Sequence, residues 1–179
     1  MKKIIEKATK IQCLICDLDG VLTDGLLYFD HEGHELKSFH VHDGVGLKLL
    51  MAANIEVAVI TTSRNAMIEH RMQQLGIRHY FMGQLDKNKA YQELKSRLNL
   101  SDDAFAYIGD DLPDIPIIRQ VGLGVAVANA QPSVKEIACW STQLPGGHGA
   151  VRELCDLLLT AQNKQDMALK QYLSQKSVI

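Results

Sequence analysis

The chain of 179 residues carries 19 lysines and arginines against 21 aspartates and glutamates, a formal charge of −2, with 46% hydrophobic and 22% charged residues. That size and balance suit one α/β domain with a substantial core, and they exclude both a disordered polymer and the basic excess of a nucleic-acid binder. No apolar run approaches the roughly 20 residues of a membrane helix, and the charged residues 1–10 precede no apolar stretch with a cleavage site, so a cytoplasmic protein without membrane contact is expected.

The first apolar run, residues 11–16, contains Cys13 and Cys16 at a spacing that formally matches a metal or redox pair. No second pair follows, and a chain this large needs no staples, so Cys13, Cys16, Cys139 and Cys155 are expected as buried free thiols. Residues 26–29 and 36–41 read as the strands of a hairpin around the polar turn Asp30-His31-Glu32-Gly33, inserted before the first helix. Apolar runs at 55–60, 79–82, 104–108 and 123–127 bring the core strands to five. Between them, Ile68, Met72 and Leu75 share one helix face with Gly76 as a left-handed cap, and Ala90, Leu94 and Leu98 repeat the pattern. Pro132 suits the first turn of a short helix that turns Val134 and Ile137 inward. A last helix, about 149–161, carries Val151, Leu154 and Leu158 on one side. From residue 163 the chain is polar and weakly amphipathic, either a solvated tail or an arm docked on another subunit. Strand-like runs alternating with helical stripes predict a parallel sheet with crossover helices.

Polar residues cluster where the apolar runs end. The first run is followed by Asp17-Leu18-Asp19-Gly20, the second by Thr61-Thr62-Ser63, the third by Asp86-Lys87 and the fourth by Gly109-Asp110-Asp111. In an open parallel sheet these positions share the carboxyl edge, where ligands bind at the switch in strand order. Grouped carboxylates repel one another unless a cation intervenes, and an all-oxygen ligand set favours Mg²⁺. A lysine and a hydroxyl can then hold phosphate oxygens. Of two carboxylates spaced i and i+2, one can attack phosphorus and the other can serve as general acid and then base.

The run Asp17-Leu18-Asp19-Gly20-Val21-Leu22-Thr23-Asp24-Gly25 and the run Gly109-Asp110-Asp111-Leu112-Pro113-Asp114 resemble the first and fourth motifs of the haloacid dehalogenase-like phosphatases. With the hairpin, His42-Asp43-Gly44 and the run from Gly146 to Glu153, the pattern over about residues 10–165 is similar to one branch, the 3-deoxy-D-manno-octulosonate (KDO) 8-phosphate phosphatases. The resemblance implies a Rossmann-like three-layer α/β sandwich without a cap domain, a single unit over 1–165 with a tail at 166–179. It also implies Asp17 as nucleophile, Asp19 as acid and base, and Mg²⁺ held by Asp17, Asp110 and the Asp19 carbonyl. Thr61 and Lys87 would hold the phosphoryl group, with Asp111 and Asp114 as nearby acids orienting Lys87 or metal-bound waters. Lys87 is preferred to Lys89 because it directly follows Asp86 where the helical pattern starts.

Two positions depart from the family pattern. Where Gly-Arg usually follows the second-motif threonine, this chain has Thr62-Ser63 with Arg64 one place later, and His42 replaces a common arginine. Both bear on substrate more than on phosphoryl transfer, and His42 and Arg64 are the candidate substrate contacts. The other histidines read as surface and hairpin polar groups, His40 and His42 sharing one strand face. The run 146–149 is either a tight turn or an anion-binding row of N–H groups, and Arg152 reads as a structural ion-pair partner.

Neither the interval from Asp17 to Thr61 nor that from Thr61 to Lys87 has room for a lid domain, so a neighbouring subunit or a large substrate must cover the crevice. The resemblance implies a homotetramer whose hairpins associate and whose tails help close neighbouring sites. Leu26 and Tyr28 on one hairpin strand, with Leu36, Phe39 and Val41 on the other, would supply its apolar face. The expected activity is removal of phosphate from a small-molecule sugar acid, KDO 8-phosphate, in lipopolysaccharide inner-core synthesis. The alternatives are a nine-carbon sialic-acid-type 9-phosphate as substrate, or a non-catalytic oligomerisation module.

Overall fold

The computed structural model describes residues 1–175. In chain order the elements are α1 (Lys2–Ala8), β1 (Cys13–Cys16), β2 (Tyr28–Phe29), β3 (Glu35–Leu36), α2 (Val41–Ala52), β4 (Glu56–Ile60), α3 (Ala66–Leu75) and β5 (His79–Phe81). They continue with α4 (Lys87–Leu98), β6 (Phe105–Gly109), α5 (Ile115–Ile118), β7 (Leu123–Ala126), α6 (Pro132–Ile137), β8 (Trp140–Ser141), α7 (Ala150–Ala161) and α8 (Gln165–Gln175). Six strands form one parallel sheet in the order β5-β4-β1-β6-β7-β8, while β2 and β3 pair antiparallel by themselves. In the central strand Cys13 faces Glu56 of β4 on one side and Phe105 of β6 on the other.

Parallel strands covered on both faces need continuous apolar runs rather than alternation, and every residue of β1, β6 and β7 is buried. On the helices, α2 packs against α7 and α8, and α4 against α5. A fully buried Leu14 or Leu47 contributes about 1.5–3 kcal/mol relative to exposure. The expected stripes are present: Ile68, Met72 and Leu75 are buried and α3 ends at a left-handed Gly76, while Val151, Leu154 and Leu158 face inward from α7. Between β1 and α2 stands the hairpin, with no cap domain among the described residues.

Several expectations need correction. The hairpin strands are two residues each, and Val41 opens α2 instead of ending a strand, so His40 is the N-terminal cap of that helix and His42 lies in its first turn. Helix α1 and strand β8 were not expected, being short and without a resolvable period. The segment after 163 forms α8, which rests on the core through the fully buried Ala168; residues 176–179 of the expected tail lie outside the described residues. Cys139 is exposed, whereas Cys13, Cys16 and Cys155 are buried, and all four are free thiols. Among the described residues no helix is long and apolar enough to cross a membrane.

Candidate active site

Strand order reverses around β1, because the chain moves from β1 to β4 on one side and later to β6 on the other. Asp17 lies just past β1, and its N–H donates to the Ile108 carbonyl at 3.0 Å, carrying the β1–β6 ladder one residue beyond the strand. Thr61 occupies the same level after β4, its N–H on the Phe81 carbonyl at 2.9 Å and its Oγ1 accepting the Ser63 N–H at 3.1 Å. Asp110 follows β6. A crevice of about 260 Å³ opens here, lined by Asp17, Asp19, Thr62, Lys87, Asp110 and Asp114 among others. A hollow of about 850 Å³ lies at the opposite, amino edge beside Gln12, Asn54 and Ser101, but it gathers no converging carboxylates.

Asp86 caps α4 by accepting the Asn88 N–H, and this start aims Lys87 into the crevice. The Lys87 ammonium sits 2.6 Å from Asp17 Oδ1 and donates to Asp114 Oδ1 at 2.7 Å. Lys89, two positions further on the same turn, is 84% exposed and reaches only Asp86 at 4.0 Å. Asp114 is the organising acid. Its Oδ1 also accepts from the buried Tyr107 hydroxyl at 2.6 Å, and its Oδ2 accepts the N–H groups of Asp110 and Asp111 at 2.9 and 3.2 Å. Asp111, by contrast, is exposed and accepts the Leu112 N–H at 2.8 Å, capping the turn that carries Asp114; its carboxylate does not hold Lys87.

Burial pushes the Asp17 carboxyl well above the usual range, reinforced by Asp114 and only partly opposed by Lys87. Asp110 is pushed up to about 7 by burial and by the charges of Asp114 and Asp111. For Lys87 burial works against the charge, yet Asp17 and Asp114 outweigh it and the direction is upward. The arrangement fits a divalent cation. Asp17, Asp110 and Asp114 each present an oxygen within 4.8 Å of the others, and Asp110 Oδ1 is buried with no hydrogen-bond partner. Because Asp114 already accepts from four donors, the free ligand capacity belongs to Asp17 and Asp110, and hard oxygens of this kind suit Mg²⁺. Gly20, at φ +85°, is what lets the loop approach: a Cβ there would stand 2.3 Å from Asp110 Oδ2.

Other sequence candidates land elsewhere. His42 is exposed and meets the His40 ring edge-on at 5.0 Å, and Arg64 is exposed and lies against Gly83; neither lines the crevice. Ser63 and Asn65 turn inward around Arg64, Ser63 donating to Asp19 and Asn65 capping α3. The glycine run is a tight turn. Its N–H groups go to Asn129 Oδ1, the Val21 carbonyl and Asp43 Oδ2, and a Cβ on Gly146 would stand 1.7 Å from the Gly20 carbonyl. Asp43, buried, accepts the Gly149 and Arg152 N–H groups and so serves the α7 N-terminus, while Arg152 pairs with Asp156. Sequence reasoning missed Tyr107 and Lys37. A tyrosine three residues before Asp110 in an apolar strand was a signal for the first, since a buried hydroxyl needs a partner; nothing local pointed to the second.

A buried aspartate paired with a buried lysine beside an acid cluster, at the switch point of a parallel sheet, is the setting of the site, and residues 81–154 match the haloacid dehalogenase-like hydrolase family model. A KDO 8-phosphate phosphatase of Yersinia pestis is 49% identical over 165 residues, which cover 92% of this chain and 88% of that protein. The chain belongs to the KDO 8-phosphate phosphatase family. Among solved structures, a haloacid dehalogenase superfamily (subfamily III A) protein from Legionella pneumophila is 66% identical with a TM-score of 0.96, covering 97% of this chain and 96% of that one. A KDO 8-phosphate phosphatase from Moraxella catarrhalis, in complex with magnesium, phosphate and KDO, is 40% identical with a TM-score of 0.92, covering 96% and 99%.

Proposed function

We propose that this protein is a Mg²⁺-dependent phosphomonoesterase that hydrolyses KDO 8-phosphate to KDO and phosphate, in lipopolysaccharide inner-core sugar synthesis. The observation that carries the reading is the Asp17–Lys87–Asp114 chain beside an Asp110 oxygen that has no protein partner. The names of the relatives favour the eight-carbon acid over a nine-carbon one, and the complete acid and lysine set favours catalysis over a purely structural role.

Asp17 attacks phosphorus through a carboxylate oxygen while the bond from phosphorus to the sugar oxygen breaks, and Asp19 donates its proton to that leaving oxygen. In the second half, water attacks phosphorus, Asp19 takes the water proton, and the aspartyl–phosphate bond breaks to return Asp17 and release phosphate. Lys87 and Thr61 hold phosphoryl oxygens, and Asp114 and Tyr107 keep the lysine in place. Mg²⁺, held by Asp17, Asp110 and the Asp19 carbonyl, would neutralise charge on the transferring group.

Residues 1–165 form the catalytic unit in this proposal and 166–179 a C-terminal segment. The working form is a cytoplasmic homotetramer with sites closed by neighbouring subunits. Its support is a crevice without a lid of its own, and a hairpin whose Leu26, Leu27 and Phe29 are exposed, Phe29 at 63% and nearby Val41 at 72%. The four free thiols support the compartment.

The test is phosphate release from a panel of eight- and nine-carbon sugar-acid phosphates, with Mg²⁺ and with chelator, for the unaltered protein and Asp17→Asn. We expect turnover of KDO 8-phosphate that needs Mg²⁺, and a loss of at least about 10⁴-fold in Asp17→Asn. A preference for the nine-carbon acid would overturn the substrate; an active Asp17→Asn would overturn the mechanism.

A further inference from the structure

The hairpin also brings a charge to the site. Lys37, one residue past β3, has a side chain only 3% exposed, and its ammonium donates to Asp19 Oδ1 at 2.6 Å and to Glu35 Oε1 at 2.7 Å. The second Asp19 oxygen, Oδ2, accepts from the Ser63 hydroxyl. Asn65 closes the circuit, donating to the Glu35 carbonyl at 3.3 Å and Glu35 Oε2 at 3.4 Å while capping α3. The hairpin, the loop after β1 and the loop after β4 are thus tied together through one polar network, with the Asp19 carboxylate at its centre.

Glu35 alone would neutralise Lys37, and the two side chains, two positions apart, already meet at 2.7 Å. Hiding a long, flexible lysine costs rotamer entropy as well as desolvation. Spending that on a second carboxylate has an evident use. Lys87 takes Asp17 and Lys37 takes Asp19, so two acids only two residues apart do not compete for one cation, and each keeps its own direction. Ser63, at the position where the family usually shows arginine, supplies the neutral half of the clamp and leaves the Asp19 contact free of a second fixed charge.

We infer that Lys37 is a positioning residue for phosphoryl transfer: together with Ser63 it holds the Asp19 carboxylate in the orientation from which it passes a proton to the leaving oxygen and later takes one from water. The inference rests on the role proposed for Asp19 above.

The test compares Lys37→Met, which keeps stem length, and Lys37→Arg, which restores a cation, on two substrates. With KDO 8-phosphate, kcat should fall about 100-fold in Lys37→Met, KM should stay within about threefold, and Lys37→Arg should recover part of the rate. With 4-nitrophenyl phosphate the leaving group needs no proton, so only the hydrolytic half-reaction slows. Lys37→Met should then release nitrophenolate in a burst approaching one equivalent per site, larger than that of the unaltered protein, followed by slow turnover. Equal losses on both substrates without a burst, or an unchanged kcat, would overturn the inference. Thermal melting checks folding, and if Lys37→Met does not fold, Ser63→Ala is read by the same burst criterion. An active Asp17→Asn would instead remove the underlying mechanism, whereas an inactive Asp17→Asn with no substrate split in Lys37→Met would remove this inference alone.

Discussion

The floor of the crevice and the hairpin above it are built on opposite terms. At the floor, Asp17, Lys87, Asp114 and Tyr107 are buried and bonded in one chain, Tyr107 within β6 and the others at a strand end or a helix start. The hairpin has only two residues per strand, exposes Leu26, Leu27 and Phe29, and touches the floor's chemistry through the polar network at Lys37 and Glu35. Phosphoryl transfer needs groups placed to within fractions of an ångström, which a packed sheet edge supplies. Covering the substrate needs surface, and an isolated two-stranded ribbon is too weak to hold its own shape without something to lean on. The contrast implies that damage to the floor and damage to the hairpin should fail in different ways.

Asp114→Ala attacks the floor. It leaves the Lys87 ammonium and the Tyr107 hydroxyl short of a partner in a buried place, so we expect about 3–5 kcal/mol lost in chemical denaturation and kcat lower by about 10²-fold. Stability unchanged within error would mean that the network is not the organising feature described. The paired change Leu27→Asp and Phe29→Asp attacks the hairpin. Sedimentation should show the proposed assembly dissociating, activity on the sugar phosphate should fall about tenfold through KM, and the separated chain should stay folded because neither side chain is in the core. A monomer with full activity would refute the role given to the neighbouring subunit.

The smallest effect sharpens the floor itself. Native Asp110 keeps its proton to about pH 7, whereas its ordinary value is 3.8. Between those values the native state binds more protons than the unfolded chain, so stability falls as pH rises through that window. Metal-free protein should therefore melt a few degrees higher at pH 6 than at pH 8. Saturating Mg²⁺ should erase or reverse the difference by occupying the same oxygens, and an identical difference with and without Mg²⁺ would argue against Asp110 as a ligand.

Much of the floor was legible in one dimension. Buried parallel strands are contiguous apolar runs, and a strand end is a single position, so the chain alone aligns Asp17, Thr61 and Asp110 at one edge; Lys87 could be told from Lys89 because a helix start fixes direction. The hairpin was legible only as a break in alternation. Its strands came out shorter than expected because Val41 already opens α2, and His42 and Arg64 lie outside the crevice of this chain, beside the helix starts at His40 and Asn65. The partnership of Lys37 with Asp19 had no local signature at all.

Periodicity and strand-end chemistry, both short-range properties, were enough to determine the α/β class, the acidic edge and the reaction type from the chain alone. Tertiary structure decided which acid organises the lysine, that Asp114 does so while Asp111 caps a turn, that Asp43 serves a helix more than 100 residues away, and that a hairpin lysine holds Asp19. Hydrogen bonds and ion pairs act over about 3 Å in space regardless of separation along the chain, so a pattern read along the chain can locate such groups but cannot pair them.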